Sequence, residues 1–216
     1  MDNLLHTILL MLEGTQVTLE IFCITLVLAL PIGLLAALGR ISSLKPVSLL
    51  MEFYVWVMRG TPLMLQLLFV YFALPMVGVK LPDIAAALLA FTLNYAAYFA
   101  EIFRAGIQSI DKGQMEAGRS LGMTWVQTMR YIIVPQAFKR VIPPLGNEFI
   151  ALLKDSSLVS VIGFEELTRR GQLIIAKTYG SLEIWLSVAV IYLAMTLTIS
   201  RFVAYLERRY KTDDRH

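Results

Sequence analysis

Asn94, Tyr98 and Glu101 stand at i, i+4 and i+7, so a helix through them carries an amide, a phenol and a carboxylate on one face. The residues around them are apolar, and 84–100 holds no charged side chain. Polar groups in such a run are costly to bury and are functional candidates by default. The trio offers hydrogen bonding and charge recognition of a small polar solute rather than bond chemistry. Glu101 also has a simpler use, as an ion-pair partner for Arg104 one turn on. A second group is Lys154-Asp155-Ser156-Ser157, which follows a segment carrying Pro143 and Pro144. Those prolines predict a broken helix, and broken helices bring freed backbone groups and helix ends to a ligand. Ser156 and Ser157 suit a carboxylate, and Asp155 suits an ammonium. The plainer reading is a helix end at the outer surface, with Lys154 and Asp155 reaching water. Upstream, Thr61-Pro62 reads as an N-cap and first helical residue, followed deeper in by Gln66 and Leu67. Gln66 lines the pathway or bonds between helices. Arg59 reads as an interfacial anchor, while Glu20 and Glu148 stay open. The interior candidates Glu101, Glu148 and Asp155 outnumber Lys154, which favours a cationic solute.

Catalytic motifs are missing. The chain has no Gly-x-x-x-x-Gly-Lys-Ser/Thr loop and no His-Glu-x-x-His pair, and its two histidines, His6 and His216, lie at opposite ends. Cys23 is the one cysteine, so no internal disulfide or multi-thiolate metal site is available.

Composition sets the elements that must position these groups. Of 216 residues, 57% are hydrophobic and 16% charged, with a mean hydropathy of +0.68. Soluble domains carry roughly 45–50% apolar and about 25% charged residues. The balance excludes a disordered chain and points to a polytopic membrane protein. Four charge-free runs, 21–39, 60–79, 84–100 and 184–200, are each long enough to cross a bilayer, which takes roughly 17–25 residues. A fifth, weaker span keeps the charged loops on consistent sides. The expected fold is an all-α membrane protein: five transmembrane helices at about 15–40, 52–78, 83–108, 136–155 and 182–206, forming one domain over 1–216. With the N-terminus outside and the C-terminus inside, most of the 19 Lys and Arg fall in the inner segments, as the positive-inside rule asks. The net charge of +3 then follows from topology and calls for no nucleic acid. The short apolar stretch 4–12 reads as an interfacial helix on the outer surface.

The inner segment 109–135 has its own capping signals. Asp111 is a good N-cap with Gln114 as its capping-box partner, and Gly122 is placed to end the helix in the left-handed conformation. Thr124 and Gln127 repeat the signal and start a second short helix, stopped by Pro135. Trp125, Met129 and Ile133 would also suit amphipathic helices resting on headgroups.

Glu116-Ala117-Gly118, then Gly122, then Ile132, Val134 and Pro135 resemble the EAA loop of importer permeases in the ATP-binding cassette class. Gly118 replaces the second Ala of that pattern and Val134 replaces Leu. Arg59-Gly60-Thr61-Pro62, Tyr95-Ala96-Ala97-Tyr98-Phe99-Ala100-Glu101 and Lys154-Asp155-Ser156-Ser157-Leu158 are similar to segments of the polar amino acid permeases, which include the histidine, glutamine and arginine systems. The likeness runs from about residue 15 to 207.

The resemblance implies a membrane permease of a bacterial inner-membrane importer, itself without cofactor. ATP and Mg would be bound by separate ATP-binding cassette subunits. Glu116, Ala117, Gly118, Ser120, Leu121 and Gly122 would form the coupling helix that docks on them. It further implies a second permease, identical or sister, an extracytoplasmic substrate-binding protein, and an amino acid such as arginine, lysine or histidine as cargo. An importer for another solute and a structural scaffold are the competing readings. The polar face of Asn94, Tyr98 and Glu101 argues against the scaffold.

Overall fold

The computed structural model describes residues 2–178 and 181–210, and these are helical almost throughout, with no β-strand among them. The long helix α1 (Asp2–Arg40) is followed by α2 (Lys45–Gly60) and α3 (Leu63–Leu68), whose coil continues to Val77. Then come α4 (Asp83–Gln108), the short α5 (Lys112–Ser120) and α6 (Trp125–Thr128), α7 (Val134–Asp155), α8 (Leu167–Thr178) and α9 (Ser181–Tyr210). Among the described residues, Thr7–Arg40, Asp83–Gln108 and Leu182–Tyr210 are long and apolar enough to cross a membrane. Lys45–Gly60 and Leu63–Val77 make a fourth if the pair, bent by 103°, counts as one span.

The core is built on α4, which is buried along most of its length against α1. The seam is lined by small residues: Ala29, Gly33, Ala36 and Ala37 of α1 against Ala96, Ala97 and Ala100 of α4. Lipid tails are as apolar as side chains, so helices in a bilayer associate through close packing, and small residues let backbones approach. A Cβ at Gly33 would lie 2.7 Å from Cβ of Phe99 and 2.8 Å from the carbonyl oxygen of Ala96. Gly33 meets Ala96 and Arg40 meets Glu101, so α1 and α4 run parallel.

Three local expectations fail, each for a physical reason. The stretch 4–12 is not a separate interfacial helix: it is continuous with α1, and Met11 is buried against Leu167, Ile174 and Val188. Nor is the 136–155 segment broken, since α7 runs through Pro143 and Pro144. Each proline removes a backbone donor, but Leu145, Leu152 and Leu153 are anchored in the core and Gly146 abuts Val203, so packing holds the helix together. Pro135 does not stop the second loop helix either. One wide turn, Met129–Ile133, carries α6 into α7, and Pro135 follows directly on it, so the irregular backbone ladder of that turn takes up the missing N–H and the coil continues.

At the opposite end of the bundle from the loop helices, Glu166 is fully buried and acts as the N-cap of α8. Its carboxylate accepts from the backbone N–H of Thr168 and of Arg169, each at 2.8 Å, and from the Tyr192 hydroxyl of α9 at 2.9 Å. Thr18 of α1 completes the joint by accepting from the N–H of Leu167 at 3.2 Å. Burial pushes the Glu166 carboxyl above its usual range, against the pull of these donors.

Candidate functional site

The interruption that proline chemistry predicts for α7 occurs instead between α2 and α3. A helix break orphans the last carbonyls of one piece, and two side-chain amides meet that need. Asn94 Nδ2 donates to the carbonyl of Met58 and to Oε1 of Gln66, both at 3.0 Å. Gln66 Nε2 donates to the same Met58 carbonyl at 2.9 Å and to the Thr61 hydroxyl at 2.7 Å, and that hydroxyl donates back to Val57 at 2.9 Å. Thr61 is therefore a clasp across the break and not an N-cap. Pro62 holds the cap position, without a side-chain bond.

Beside this brace lies a cavity of about 480 Å³, lined by Arg59, Asn94 and Tyr98 together with Tyr95, Glu148 and Asp155. The Arg59 guanidinium sits over the Tyr98 ring, 5.2 Å from its centroid. Asp155 Oδ2 accepts from the Tyr95 hydroxyl at 2.7 Å. The walls thus present one cation from α2 and two carboxylates from α7.

The expected site residues separate into two sets. Asn94, Tyr98 and Asp155 come together on the cavity. Glu101 is drawn aside, hydrogen-bonded by both Arg40 and Arg104 with Arg59 at 4.0 Å. Gln66 is taken up by the break, and Leu67 is fully buried in the core. Ser156 and Ser157 turn back on the end of α7, donating to the carbonyls of Leu153 at 2.6 Å and Lys154 at 2.8 Å. Residue-type reasoning took Arg59 as an anchor, left Glu148 open while counting it among the interior carboxylates, and passed over Tyr95 as a ligand group. The missed signal was Arg59 directly before Gly60-Thr61-Pro62, where a broken span places a helix end.

In the loop, Asp111 caps α5 by accepting from the N–H of Gly113 at 2.6 Å, while Gln114 is 3.4 Å from Gln136 and does not close the box. The second box does close: Thr124 accepts from the Gln127 N–H at 3.3 Å and its own N–H donates to the Gln127 side chain at 2.8 Å. Gly122 has φ +74°, and the Met123 N–H returns to the Gly118 carbonyl at 3.0 Å, which ends α5 as expected. Glu116, Ala117, Ser120, Leu121 and Gly122 are exposed, and Leu121 is 79% exposed. Gly118 faces inward, in contact with Thr128. Met129 and Ile133 do not rest on headgroups; they are buried with Ile110 and Ala137, which fastens the loop helices to the ends of α4 and α7. Among the described residues no cluster of His, Cys, Asp and Glu could hold a metal ion.

A bundle of apolar helices around a two-signed cavity at a helix break, with capped loop helices presented beyond it, defines the membrane part of a transporter. Binding-protein-dependent transport system inner membrane components match residues 29–212, and the chain belongs to this family. It is 45% identical to the glutamine transport system permease protein GlnP of Escherichia coli over 204 residues, 94% of this chain and 93% of that one. It is 41% identical to the arginine transport system permease protein ArtQ of Bacillus subtilis over 204 residues, with the same coverage. Among solved structures it superposes on an amino acid ABC transporter crystallised with histidines at a TM-score of 0.90 and 45% identity, covering 96% of this chain and 97% of that one. The MetNI methionine ABC transporter shares the fold, with a TM-score of 0.73 at 20% identity and 98% coverage of both chains. The protein is an inner-membrane permease subunit and not itself an ATPase, which in this family is a separate subunit.

Proposed function

We propose that this chain carries polar, cationic amino acids into the cytoplasm through the cavity at the α2–α3 break, as the permease of an ATP-driven importer working by alternating access. The charge layout of that cavity carries the reading. Arg59 suits an α-carboxylate, and Glu148 with Asp155 suits the α-ammonium and a cationic side chain. The volume of about 480 Å³ falls within the roughly 300–1,000 Å³ of small-molecule sites. The glutamine and arginine permeases to which the chain is similar support amino acids as the cargo. Two carboxylates against one arginine favour a cationic member of that group.

In this reading α7 is a fifth span, the N-terminus is outside and the C-terminus inside, and the helices act as one permease domain. The exposed face of Glu116, Ala117, Ser120, Leu121 and Gly122 docks on an ATPase subunit that binds ATP and Mg, with Gly118 holding α5 to α6. A second permease, identical or sister, completes the pathway, and an extracytoplasmic binding protein delivers the cargo. Only contacts that differ between two states shift their balance, so the loop stays docked while the spans rock between inward- and outward-facing arrangements.

The test is uptake of labelled L-arginine and L-glutamine by the complex reconstituted with its ATPase and binding protein. Asp155→Asn combined with Glu148→Gln lowers arginine uptake more than glutamine uptake. Unchanged arginine uptake in that double variant refutes the assignment.

A further inference from the structure

We propose that Arg59 is a shared cation, passing between Glu101 and the cavity, and that a ligand must bear a carboxylate to move it. The inference rests on the amino acid reading above and deepens it. Three guanidiniums, those of Arg40, Arg59 and Arg104, gather around the single carboxylate of Glu101. Arg40 and Arg104 hydrogen-bond to it, whereas Arg59 Nη1 stands off at 4.0 Å, the edge of ion-pair range. Two close partners leave Glu101 little need of a third, so Arg59 is its loosest partner. The Arg59 side chain is 41% exposed, stacks on Tyr98 and forms part of the cavity wall. It has two anchorages within reach, and neither saturates its five donors.

The cluster also explains the charge balance. Arg40, Arg59 and Arg104 exceed Glu101 in charge; Glu52 faces Arg104, and Glu148 with Asp155 supplies negative charge across the cavity from Arg59. A zwitterion with an extra cation enters this arrangement at both ends. Its ammonium groups meet Glu148 and Asp155, and its carboxylate offers Arg59 a bidentate partner that Glu101 does not. Arg59 then turns to the ligand. Glu101 remains tied to Arg40 and Arg104, so α1 and α4 stay joined, while the end of α2 loses its ion pair to Glu101 and keeps its hydrogen bonds to α4 through Asn94 and Tyr54. Arg104 also hydrogen-bonds Gln108, and Arg140 of α7 hydrogen-bonds the carbonyl of Ser109, so the cluster borders the coupling loop. A cation without a carboxylate engages Glu148 and Asp155 and leaves Arg59 where it was.

The experiment measures binding of L-arginine and of agmatine, its decarboxylated amine, to the permease–ATPase complex in nanodiscs. Four forms are compared: wild type, Glu101→Gln, Arg59→Gln and the two combined. Removing the competing carboxylate tightens arginine binding roughly two- to fivefold, the scale of a partly exposed ion pair. The gain vanishes when Arg59 is already Gln, and agmatine binding does not respond to Glu101→Gln. An equal effect of Glu101→Gln with and without Arg59 shows that Glu101 acts only on the fold, and overturns the proposal. If Glu101→Gln fails to assemble, Arg59→Lys in the intact cluster decides. Lys keeps the charge but lacks the fork, so the preference for arginine over agmatine falls, and an unchanged preference overturns the proposal. Wild-type complex that binds neither L-arginine nor L-glutamine refutes the amino acid reading itself, a result distinct from either of these.

Discussion

Gly122 offers a test in which backbone conformation and side-chain bulk give opposite orders. It ends α5 at φ +74°, and a Cβ placed there meets no atom within 4 Å. Within the chain, therefore, a substitution at this position is opposed by conformation alone. An ordinary residue in the left-handed region costs roughly 1–2 kcal/mol, asparagine less, and a β-branched residue more. That range changes the population of the capped loop by a factor of roughly 5–30. The capped geometry fixes the direction of the exposed face carrying Ala117, Ser120 and Leu121, so on the docking and cargo proposed above its loss lowers ATPase capture and arginine-stimulated ATP hydrolysis together. The assay is the yield of copurified ATPase and its stimulated rate for Gly122→Asn, Gly122→Ala and Gly122→Val. Strain predicts Asn closest to wild type, Ala several-fold lower and Val lowest. If bulk against the ATPase governs, Ala outperforms Asn, and that order refutes the conformational argument.

Other outcomes follow from the packing and the hydrogen bonds. Gly33→Leu forces α1 away from Phe99 and Ala96, and overpacking of this kind costs about 1–3 kcal/mol; the melting temperature in detergent falls for Leu and less for Ala. Asn94→Ala strips a donor from the Met58 carbonyl and a partner from Gln66, at about 1–3 kcal/mol. Arginine uptake drops with it, and a fully active Asn94→Ala permease would show that the brace is dispensable. Glu166 supplies a pH test. Its carboxyl is raised by burial, so folding is favoured below the ordinary carboxylate value and that contribution is lost as pH rises through the raised value. Melting temperatures of wild type fall across that interval, and those of Glu166→Gln stay flatter. Glu166→Ala instead loses the cap of α8, roughly 0.5–2 kcal/mol at every pH.

Much of this protein is written in local pattern. The apolar runs on α1, α4 and α9 follow from hydropathy because a bilayer admits only segments that satisfy their own backbone. The caps at Asp111 and Thr124 and the turn at Gly122 follow from residue type, since each involves partners within a few positions. The i, i+4, i+7 spacing likewise placed Asn94, Tyr98 and Glu101 on one side of α4. Which of them reaches a ligand was decided across the fold. Arg40 lies 61 positions from Glu101 and takes that carboxylate away from the cavity, while Met58 and Gln66 occupy the amide of Asn94. Core packing held α7 intact through two prolines, and the break moved to Gly60–Leu63, where distant side chains could satisfy the freed carbonyls. Arg59 and Glu148 are ordinary charged residues in their own segments. They become a candidate site when α2 and α7 bring opposite charges to one cavity, because electrostatic and hydrogen-bond complementarity depends on distance in space, which local periodicity does not encode.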